Sequence, residues 1–321
     1  MKIFVAGGSG MVGGSIIRSL KNNALYSKHI SQVVAPGRST LDLEKSQEVR
    51  DFFESERPDH VYIAAAKVGS IEANNKYPVD FISKNQKIQL NIIESSFEFQ
   101  VKKLLFLGAS CIYPKYASQP LEESALLTGS LEPTNEAYAI AKIAGITLCN
   151  SYNRQFGTDY RCVIPSSLYG PGDNYKIGEA HVIPALIRRI HEAKHKDLAS
   201  ITIWGSGKPL REFLYVDDLG DACVFLMSLD KDLFGAKAHQ AEGVVNIGSG
   251  QEITIFELTK MIAGTIGFEG EILLDRDKPD GTPRKLVDSS RIRSLGWMPK
   301  VKIQEGLKLA YEGFLGSLPR S

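Results

Sequence analysis

The chain has 321 residues, of which 43% are hydrophobic and 23% are charged, and its formal net charge is +1. Lysine and arginine are interleaved with aspartate and glutamate, so the sequence has no basic face of the kind that binds nucleic acid nonspecifically. The N-terminal apolar run is too short for a signal peptide and no later run reaches membrane-spanning length, which predicts a soluble cytoplasmic protein without nucleic-acid or membrane partners.

The cysteines give no sign of a metal site or of a disulfide framework. Cys111, Cys149, Cys162 and Cys223 lie far apart in the sequence and form no CxxC pair. We therefore expect four free thiols and no bound metal.

Short apolar runs alternate with helical patterns through the first half of the chain. The runs are KIFVAGG, QVVAPG, HVYIAAA and KLLFLGA, and strands are predicted to continue at YRCVIPSSLYG, after the helical pattern NEAYAIAKIAGITLCNSYNRQFG. This alternation is typical of an α/β fold with a doubly wound, Rossmann-like parallel sheet.

From Tyr169 onward the composition changes to loops rich in glycine, proline and charge. Two later segments, FLYVDDLGDACVFLMSL and VVNIGSG, again have the pattern of the sheet domain. We therefore predict a smaller α/β lobe that is interleaved with the sheet domain and shapes a ligand site. The predicted sheet domain is 1–168 with returning segments at about 214–230 and 243–250, and the lobe is 169–213 and 251–321.

The first predicted strand ends in GGSGMVG, immediately before a helical pattern. Gly7, Gly10 and Gly13 let the backbone turn tightly and approach a pyrophosphate, whose charge the helix N-terminus stabilises. Glycine-rich turns are common, but this one begins an alternating α/β chain. The context predicts a dinucleotide-binding loop.

The second predicted strand ends in Gly37, Arg38 and Ser39 rather than in the acid that usually binds the ribose hydroxyls of NAD. An arginine there matches the 2′-phosphate of NADP. The alternative is a solvated surface arginine. The sequence favours NADP.

Tyr138 and Lys142 stand four residues apart in a helical pattern, so their side chains share one face. An ammonium beside a phenol favours the phenolate, which would let Tyr138 exchange a proton with a carbonyl or hydroxyl group. The alternative is an ordinary exposed pair.

Together, GGSGMVG, YAIAK and LREFLYVDDL resemble the extended short-chain dehydrogenase/reductase family of nucleotide-sugar enzymes. Within it, the chain is similar over nearly its full length to the GDP-L-fucose synthases, bifunctional epimerases and reductases of GDP-4-keto-6-deoxy-D-mannose. The segments that carry this resemblance are AAAKVGSIEANN, GASCIYP, LEPTNEAYAIAKIAG, HVIPALIRR, WGSGKPLREFLYVDDL and KPDGTPRKLVD.

The resemblance implies a sugar whose C4 ketone lies against Tyr138, near the nicotinamide of NADPH. Hydrogens at C3 and C5 are acidic because an enolate can form, so epimerisation needs a base and an acid. The resemblance assigns these proton transfers to Cys111 and His181. Taken singly, Cys111 would be an inert half-buried thiol and His181 a helix-start or core histidine.

The resemblance also assigns ligand contacts, with a GDP-sugar as the partner. Singly, the arginines would be surface or salt-bridged residues and the tryptophan a core residue. The implied cofactor contacts are Gly7, Gly10, Met11, Val12, Gly13, Arg38, Leu107, Gly108, Ser110, Lys142, Pro165, Ser166, Ser167, Leu168 and His181, and the implied substrate contacts are Arg189, Trp204, Arg211, Asp280 and Lys285.

One position departs from the family pattern. The serine that completes the serine, tyrosine and lysine set would stand at 109, where this chain has Ala109. Ser110 is expected on the opposite pleat of the strand and so is a poor substitute. Three explanations stay open: a natural variant that relies on Tyr138, an engineered serine-to-alanine change, or an altered reaction scope.

The sequence favours an NADPH-dependent 3,5-epimerase and 4-reductase, and other functions stay open as alternatives. One is a sister enzyme acting on another GDP-4-keto-deoxy sugar, such as in GDP-colitose synthesis. Another is a low-activity NADP-binding regulator, which Ala109 would favour. A nucleotide-sugar 4,6-dehydratase fits poorly, because an acidic pair would replace Ser110 and Cys111.

The family resemblance further implies a homodimer formed by two helices of the sheet domain. The candidates are the helix carrying Tyr138 and the helix around Asn85 to Phe97.

Overall fold

The computed structural model describes residues 1–23, 27–238, 243–278 and 280–318. Strands and helices alternate along the chain. The strands are β1 (Lys2–Ala6), β2 (Gln32–Val34), β3 (His60–Ile63), β4 (Lys103–Leu107), β5 (Tyr160–Pro165), β6 (Ser167–Tyr169), β7 (Ser200–Trp204), β8 (Leu210–Tyr215), β9 (Val244–Ile247), β10 (Glu252–Thr254), β11 (Glu271–Asp275) and β12 (Arg284–Lys285). The helices are α1 (Met11–Asn22), α2 (Ser46–Glu56), α3 (Ile71–Lys76), α4 (Pro78–Glu98), α5 (Glu136–Phe156), α6 (Val182–His195), α7 (Val216–Ser228), α8 (Lys231–Ala238), α9 (Ile255–Ile266), α10 (Ser290–Ser294) and α11 (Ile303–Ser317).

A six-stranded parallel sheet forms the larger part of the molecule, with strand order β2-β1-β3-β4-β5-β9. Apolar residues cover both of its faces, because successive side chains of a strand point to opposite sides. In β4, Leu104 and Phe106 enter one core while Leu105 and Leu107 enter the other. The predicted α/β class with a doubly wound parallel sheet is confirmed.

A second, smaller sheet has the order β10-β8-β12, and β6 also pairs with β8. A third pair, β7 with β11, lies in the same part of the molecule, where a separate apolar core includes Ile187, Ile203 and Leu258. Helix α9 is fixed at its start by a capping box between Thr254 and Glu257. This assembly is the smaller α/β lobe that the sequence predicts.

The segment YRCVIPSSLYG, where strands were predicted to continue, forms two strands that belong to different sheets. After Pro165 the chain leaves the large sheet, and Ser167–Tyr169 pairs with β8 of the small sheet. Proline lacks the N–H that would continue the ladder, so the chain can change sheets there.

The chain returns to the large sheet at β9, which pairs with β5. Helix α7 also returns, and its Val216 carbonyl accepts a hydrogen bond from Ser15 of α1. The predicted lobe boundaries stay a prediction, and the last predicted residues, 319–321, lie outside the described residues.

Within the described ranges no helix is long and apolar enough to cross a membrane. The four cysteines are free thiols; Cys149, Cys162 and Cys223 are fully buried, and Cys111 is partly buried.

Candidate active site

The glycine loop between β1 and α1 is packed too closely for side chains. Gly7 has a φ of +83°, and a Cβ at Gly13 would lie 2.2 Å from the Gly7 carbonyl oxygen. Helix α1 begins at Met11 without a side-chain cap and has no acidic residue in its first turn. Its exposed N–H groups are therefore available to an anion, and the loop fits the pyrophosphate of a dinucleotide.

Arg38 follows β2, and its side chain is 76% exposed. Its guanidinium donates a hydrogen bond to Glu44 at 2.8 Å. The exposed position leaves Arg38 accessible to a ligand phosphate, which would have to compete with the Glu44 carboxylate.

The segment that follows β4 brings several predicted residues together. Gly108 N–H donates to the Val163 carbonyl at 2.8 Å, and Ala109 has extended backbone. Residues Ser110–Ile112 then form one turn of 3₁₀ helix, closed by Ile112 N–H on the Ala109 carbonyl at 3.1 Å. The expectation that Ser110 occupies the opposite pleat of a strand is wrong, because the strand has already ended. Ser110 is nevertheless buried.

Tyr138 and Lys142 project from the first turns of α5. The Tyr138 ring meets the edge of Phe81 with centroids 6.3 Å apart. Lys142 is buried and donates to the Leu107 carbonyl at 2.8 Å, while its Nζ lies 5.9 Å from the Tyr138 ring centroid.

Desolvation has the largest effect on the pKa values of both Tyr138 and Lys142. Burial raises the pKa of Tyr138, and the Cys111 thiolate adds to that effect. Burial also lowers the pKa of Lys142 to about 8. Desolvation penalises the charged form of each group. The Lys142 ammonium is directed at the Leu107 carbonyl.

Cys111, His181 and Lys285 form the other half of the cluster. Burial raises the pKa of Cys111, and the charges of Lys285 and then Lys142 oppose that rise. His181 stands immediately before α6 with no capping hydrogen bond from its side chain. Desolvation and then Lys285 lower the pKa of His181. Lys285 is thus close enough to act electrostatically on both predicted proton-transfer groups.

The segment Pro165 to Leu168 runs along the predicted cofactor side. Ser166 N–H donates to the Ile247 carbonyl at 2.9 Å, which fixes its backbone at the edge of the sheet. Its hydroxyl is buried and has no hydrogen-bond partner within the described part of the chain. A ligand oxygen would satisfy this orphaned group.

Arg211 and Lys285 are neighbours across the strand pair β8 and β12. Paired residues of adjacent strands project from the same face, with strands about 4.8 Å apart. Burial lowers the pKa of both side chains. Two partly desolvated cations side by side make a site for an anion with more than one charge.

Other predicted substrate residues lie on the rim of the small lobe. Trp204 ends β7, is 66% exposed and has Lys278 over its ring at 5.8 Å. Arg189 donates to the Thr202 carbonyl at 2.8 Å. Asp280 accepts from Ser206 N–H at 2.8 Å and Ser206 Oγ at 2.6 Å, so its carboxylate already orders the loop after β7.

Sequence reasoning missed a buried polar network behind the Cys111 turn. It joins Tyr113 and Glu123, from the segment after β4, to Asn246 of the distant strand β9. Only the three-dimensional fold brings these residues together. The one feature of the sequence that could have indicated the network is Glu123, within LEESA, which lies outside any predicted exposed helix.

Sequence reasoning also missed Asp173. Burial raises the pKa of Asp173 to about 7, and its Oδ2 has no hydrogen-bond partner among the described residues. It follows Gly172, where a Cβ would lie 3.5 Å from Met11 Cα at the start of α1.

A comparison with protein families matches residues 3–248 to the model described as the NAD dependent epimerase/dehydratase family. The chain belongs to that family. The match spans the glycine loop, the Cys111 turn, and the helix carrying Tyr138 and Lys142.

The most similar curated proteins include GDP-L-fucose synthase 1 of Arabidopsis thaliana, which is 53% identical over 98% of this chain and 93% of its own length. GDP-L-fucose synthase of Escherichia coli is 50% identical over 99% of this chain and 98% of its own length. The resemblance inferred from the sequence motifs is confirmed.

A GDP-L-colitose synthase of Yersinia pseudotuberculosis is less similar, at 34% identity over 98% of each chain. Among solved structures, a GDP-6-OMe-4-keto-L-xylo-heptose reductase of C. jejuni has a TM-score of 0.89 and 34% identity, and covers 99% of this chain and 98% of its own.

Proposed function

We propose that this protein converts GDP-4-keto-6-deoxy-D-mannose to GDP-L-fucose, by epimerisation at C3 and C5 followed by NADPH-dependent reduction at C4. The observation that carries the proposal is the position of the Cys111 turn, which directly follows the strand whose Leu107 carbonyl accepts from Lys142. Lys285 and Lys142 act electrostatically on Cys111, and Cys111 acts on Tyr138. A reductase alone needs the tyrosine and the lysine, whereas epimerisation also needs proton-transfer groups beside the ketone. Identity of about one half to GDP-L-fucose synthases supports the same substrate.

Arg211 and Lys285 would bind the diphosphate as charge-assisted donors, with Arg189 on the rim beside them. Trp204 would offer a flat contact to the base. Asp280 would keep the Ser206 loop in place and use its remaining lone pairs for the ligand.

In the epimerisation, a base takes the proton from C3, the charge moves to the C4 oxygen, and an acid returns a proton on the opposite face; C5 follows the same course. Cys111 and His181 are the groups proposed for these transfers, and Lys285 stabilises the Cys111 thiolate. Tyr138 would donate its phenolic proton to the C4 oxygen when that carbon is reduced. Lys142 would stabilise the resulting phenolate.

When bound, NADPH supplies the hydride that reduces the C4 ketone. The glycine loop and the start of α1 would hold its pyrophosphate, and the unpartnered Ser166 hydroxyl would take up a ligand oxygen. Arg38 would bind the 2′-phosphate. Lys142 would also contact the nicotinamide ribose.

The test of this function is loss of NADPH absorbance on addition of GDP-4-keto-6-deoxy-D-mannose. We expect turnover in the wild type, a strong loss in Tyr138→Phe, and slower conversion in Cys111→Ser and His181→Asn. The two latter variants should still reduce a 4-keto sugar that is already epimerised. Cys223→Ala removes a buried thiol of the sheet-domain core and serves as the control.

Other outcomes of that experiment would point elsewhere. Tight NADPH binding without turnover would favour a non-catalytic regulator. Faster turnover of a 3-deoxy GDP-4-keto sugar would favour a sister enzyme of the colitose type.

We further propose a cytoplasmic homodimer formed through the outer faces of α4 and α5. Leu90, Phe97, Ile140 and Phe156 are all exposed there, and the rings of Phe97 and Phe156 are 4.5 Å apart. Such a patch is typical of an interface between copies. Sedimentation should give twice the monomer mass, and Ile140→Glu should shift it to the monomer; a monomeric wild type would contradict the proposal.

A further inference from the structure

The turn that carries Cys111 is too short to hold its own position. It contains three residues and one internal backbone hydrogen bond, from Ile112 to Ala109. A single 3₁₀ turn has poor hydrogen-bond geometry and fixes several backbone angles for little gain. Its position must therefore come from contacts on either side.

On the upstream side, Gly108 is tied to β5 through the Val163 carbonyl. On the downstream side, the Tyr113 hydroxyl donates a 2.6 Å hydrogen bond to Asn246 Oδ1. Asn246 lies in β9 with its side chain fully buried, and Tyr113 is 3% exposed. The bond thus connects the residue two positions after Cys111 to the rigid parallel sheet.

Asn246 is itself held by two more bonds. Its Nδ2 donates to the Leu121 carbonyl at 2.8 Å, and its backbone N–H donates to Glu123 Oε1 at 3.0 Å. Glu123 is buried and forms an ion pair with Arg291 at 3.2 Å. Because every one of these groups has a partner, the amide has one orientation in which both its oxygen and its nitrogen are satisfied.

The same segment also fixes the strand that carries Lys285. Leu121 N–H donates to the Leu286 carbonyl at 2.8 Å, and Asp288 N–H donates to the Leu121 carbonyl at 2.9 Å. Residues 113–123 are therefore anchored to β9 on one side and to the extension of β12 on the other. The network holds the Cys111 turn and Lys285 in register with each other.

We propose that Tyr113, acting through its hydrogen bond to Asn246, is a positioning residue for the Cys111 proton transfer. The inference rests on the proposed function, since it concerns the epimerisation step. Tyr113 has no role in reducing the ketone, which depends on Tyr138 and Lys142 of another element. Loss of the Tyr113 hydroxyl should therefore slow epimerisation and leave reduction of the C4 ketone intact.

The experiment compares Tyr113→Phe with the wild type in D₂O, because this change removes one oxygen and leaves the ring that fills the core. We expect deuterium incorporation at C3 and C5 to fall about tenfold, the equivalent of one lost hydrogen bond of about 1.4 kcal/mol. NADPH-dependent reduction of the already epimerised 4-keto sugar should stay within about twofold of the wild type, as should the NADPH Kd. Asn246→Ala should likewise lower the exchange rate and leave the reduction rate and the NADPH Kd near those of the wild type.

Tyr311→Phe is the matched control. The Tyr311 hydroxyl also makes a partly buried hydrogen bond, to His191 at 3.0 Å, but this bond lies in the small lobe. Tyr311→Phe should change neither rate. An unchanged exchange rate in Tyr113→Phe would overturn the inference, and so would an equal fall in exchange and reduction, which would indicate a general loss of structure. Absence of exchange in the wild type would instead refute the proposed function.

Discussion

At the scale of single residues, Ala109 lies with extended backbone between the last residues of β4 and the turn that carries Cys111. A serine there would place a donor beside Tyr138 for the developing charge on the C4 oxygen. One such donor is typically worth 10² to 10³ in rate. We therefore expect Ala109→Ser to raise turnover by roughly one to three orders of magnitude, with little change in NADPH affinity.

Steady-state kinetics of the two forms on the same 4-keto sugar would measure this effect. Equal or lower turnover in the serine form would show that Ala109 is a tolerated residue whose pocket has already compensated.

Arg38 gives a second prediction, about cofactor choice. Its exposed guanidinium is paired at the surface with Glu44. Removing a charge-assisted contact to phosphate costs about 1.5 to 3 kcal/mol, so Arg38→Ala should weaken NADPH binding roughly tenfold or more and spare NADH. Arg50→Ala, which breaks a similar surface pair with Glu98, is the control. Equal weakening of both cofactors would show that Arg38 does not bind the phosphate.

Lys285 gives a prediction about pH. Burial raises the pKa of Cys111 and the Lys285 charge lowers it, so removing that charge raises the pKa further. The Cys111 thiolate forms only above the pKa of the thiol. In Lys285→Met, the rising limb of the plot of exchange rate against pH should therefore move to higher pH. The rates are measured at saturating substrate. Lys260→Met, a lysine over the Phe256 ring, is the control. An unmoved limb would mean that Cys111 is not the titrating base.

At the scale of elements, the glycine loop and α1 give a paired prediction. A Cβ at Gly13 would press on the Gly7 backbone, whereas at Gly14 its nearest neighbour is the flexible end of Arg18, 3.4 Å away. Gly13→Ala should weaken NADPH binding roughly tenfold or more, because the loop must move away from the helix start. Gly14→Ala should bind normally and gain about 0.5 to 1 kcal/mol of stability.

Calorimetry with NADPH and urea unfolding would measure both effects. Normal NADPH binding in Gly13→Ala would show that the close packing of the loop is not required.

The sequence predicted the elements that local pattern determines. Strand β4 and helix α5 were predicted from apolar runs and helical periodicity. The change of sheet within YRCVIPSSLYG was not predicted, because pairing with β8 depends on residues far along the chain. The same holds for Asn246 and Glu123, which are separated by 123 residues.

At the scale of the whole molecule, sequence reasoning identified the fold class, and the structure places Cys111, Tyr138 and Lys142 close enough to interact electrostatically. Sequence reasoning could not predict their electrostatics. Tyr138 and Lys142 are both desolvated in the folded protein, so their pKa values move in directions that the spacing YxxxK does not reveal. Burial is a property of the assembled fold.

The central claim is that one site both epimerises and reduces a GDP-4-keto sugar. The most direct test is incubation of GDP-4-keto-6-deoxy-D-mannose with the protein and NADPH in D₂O, followed by analysis of the product. We predict GDP-L-fucose with deuterium at C3 and C5 and none delivered from solvent to C4. A reduced sugar that keeps the configuration of the substrate and carries no deuterium at C3 or C5 would contradict the account.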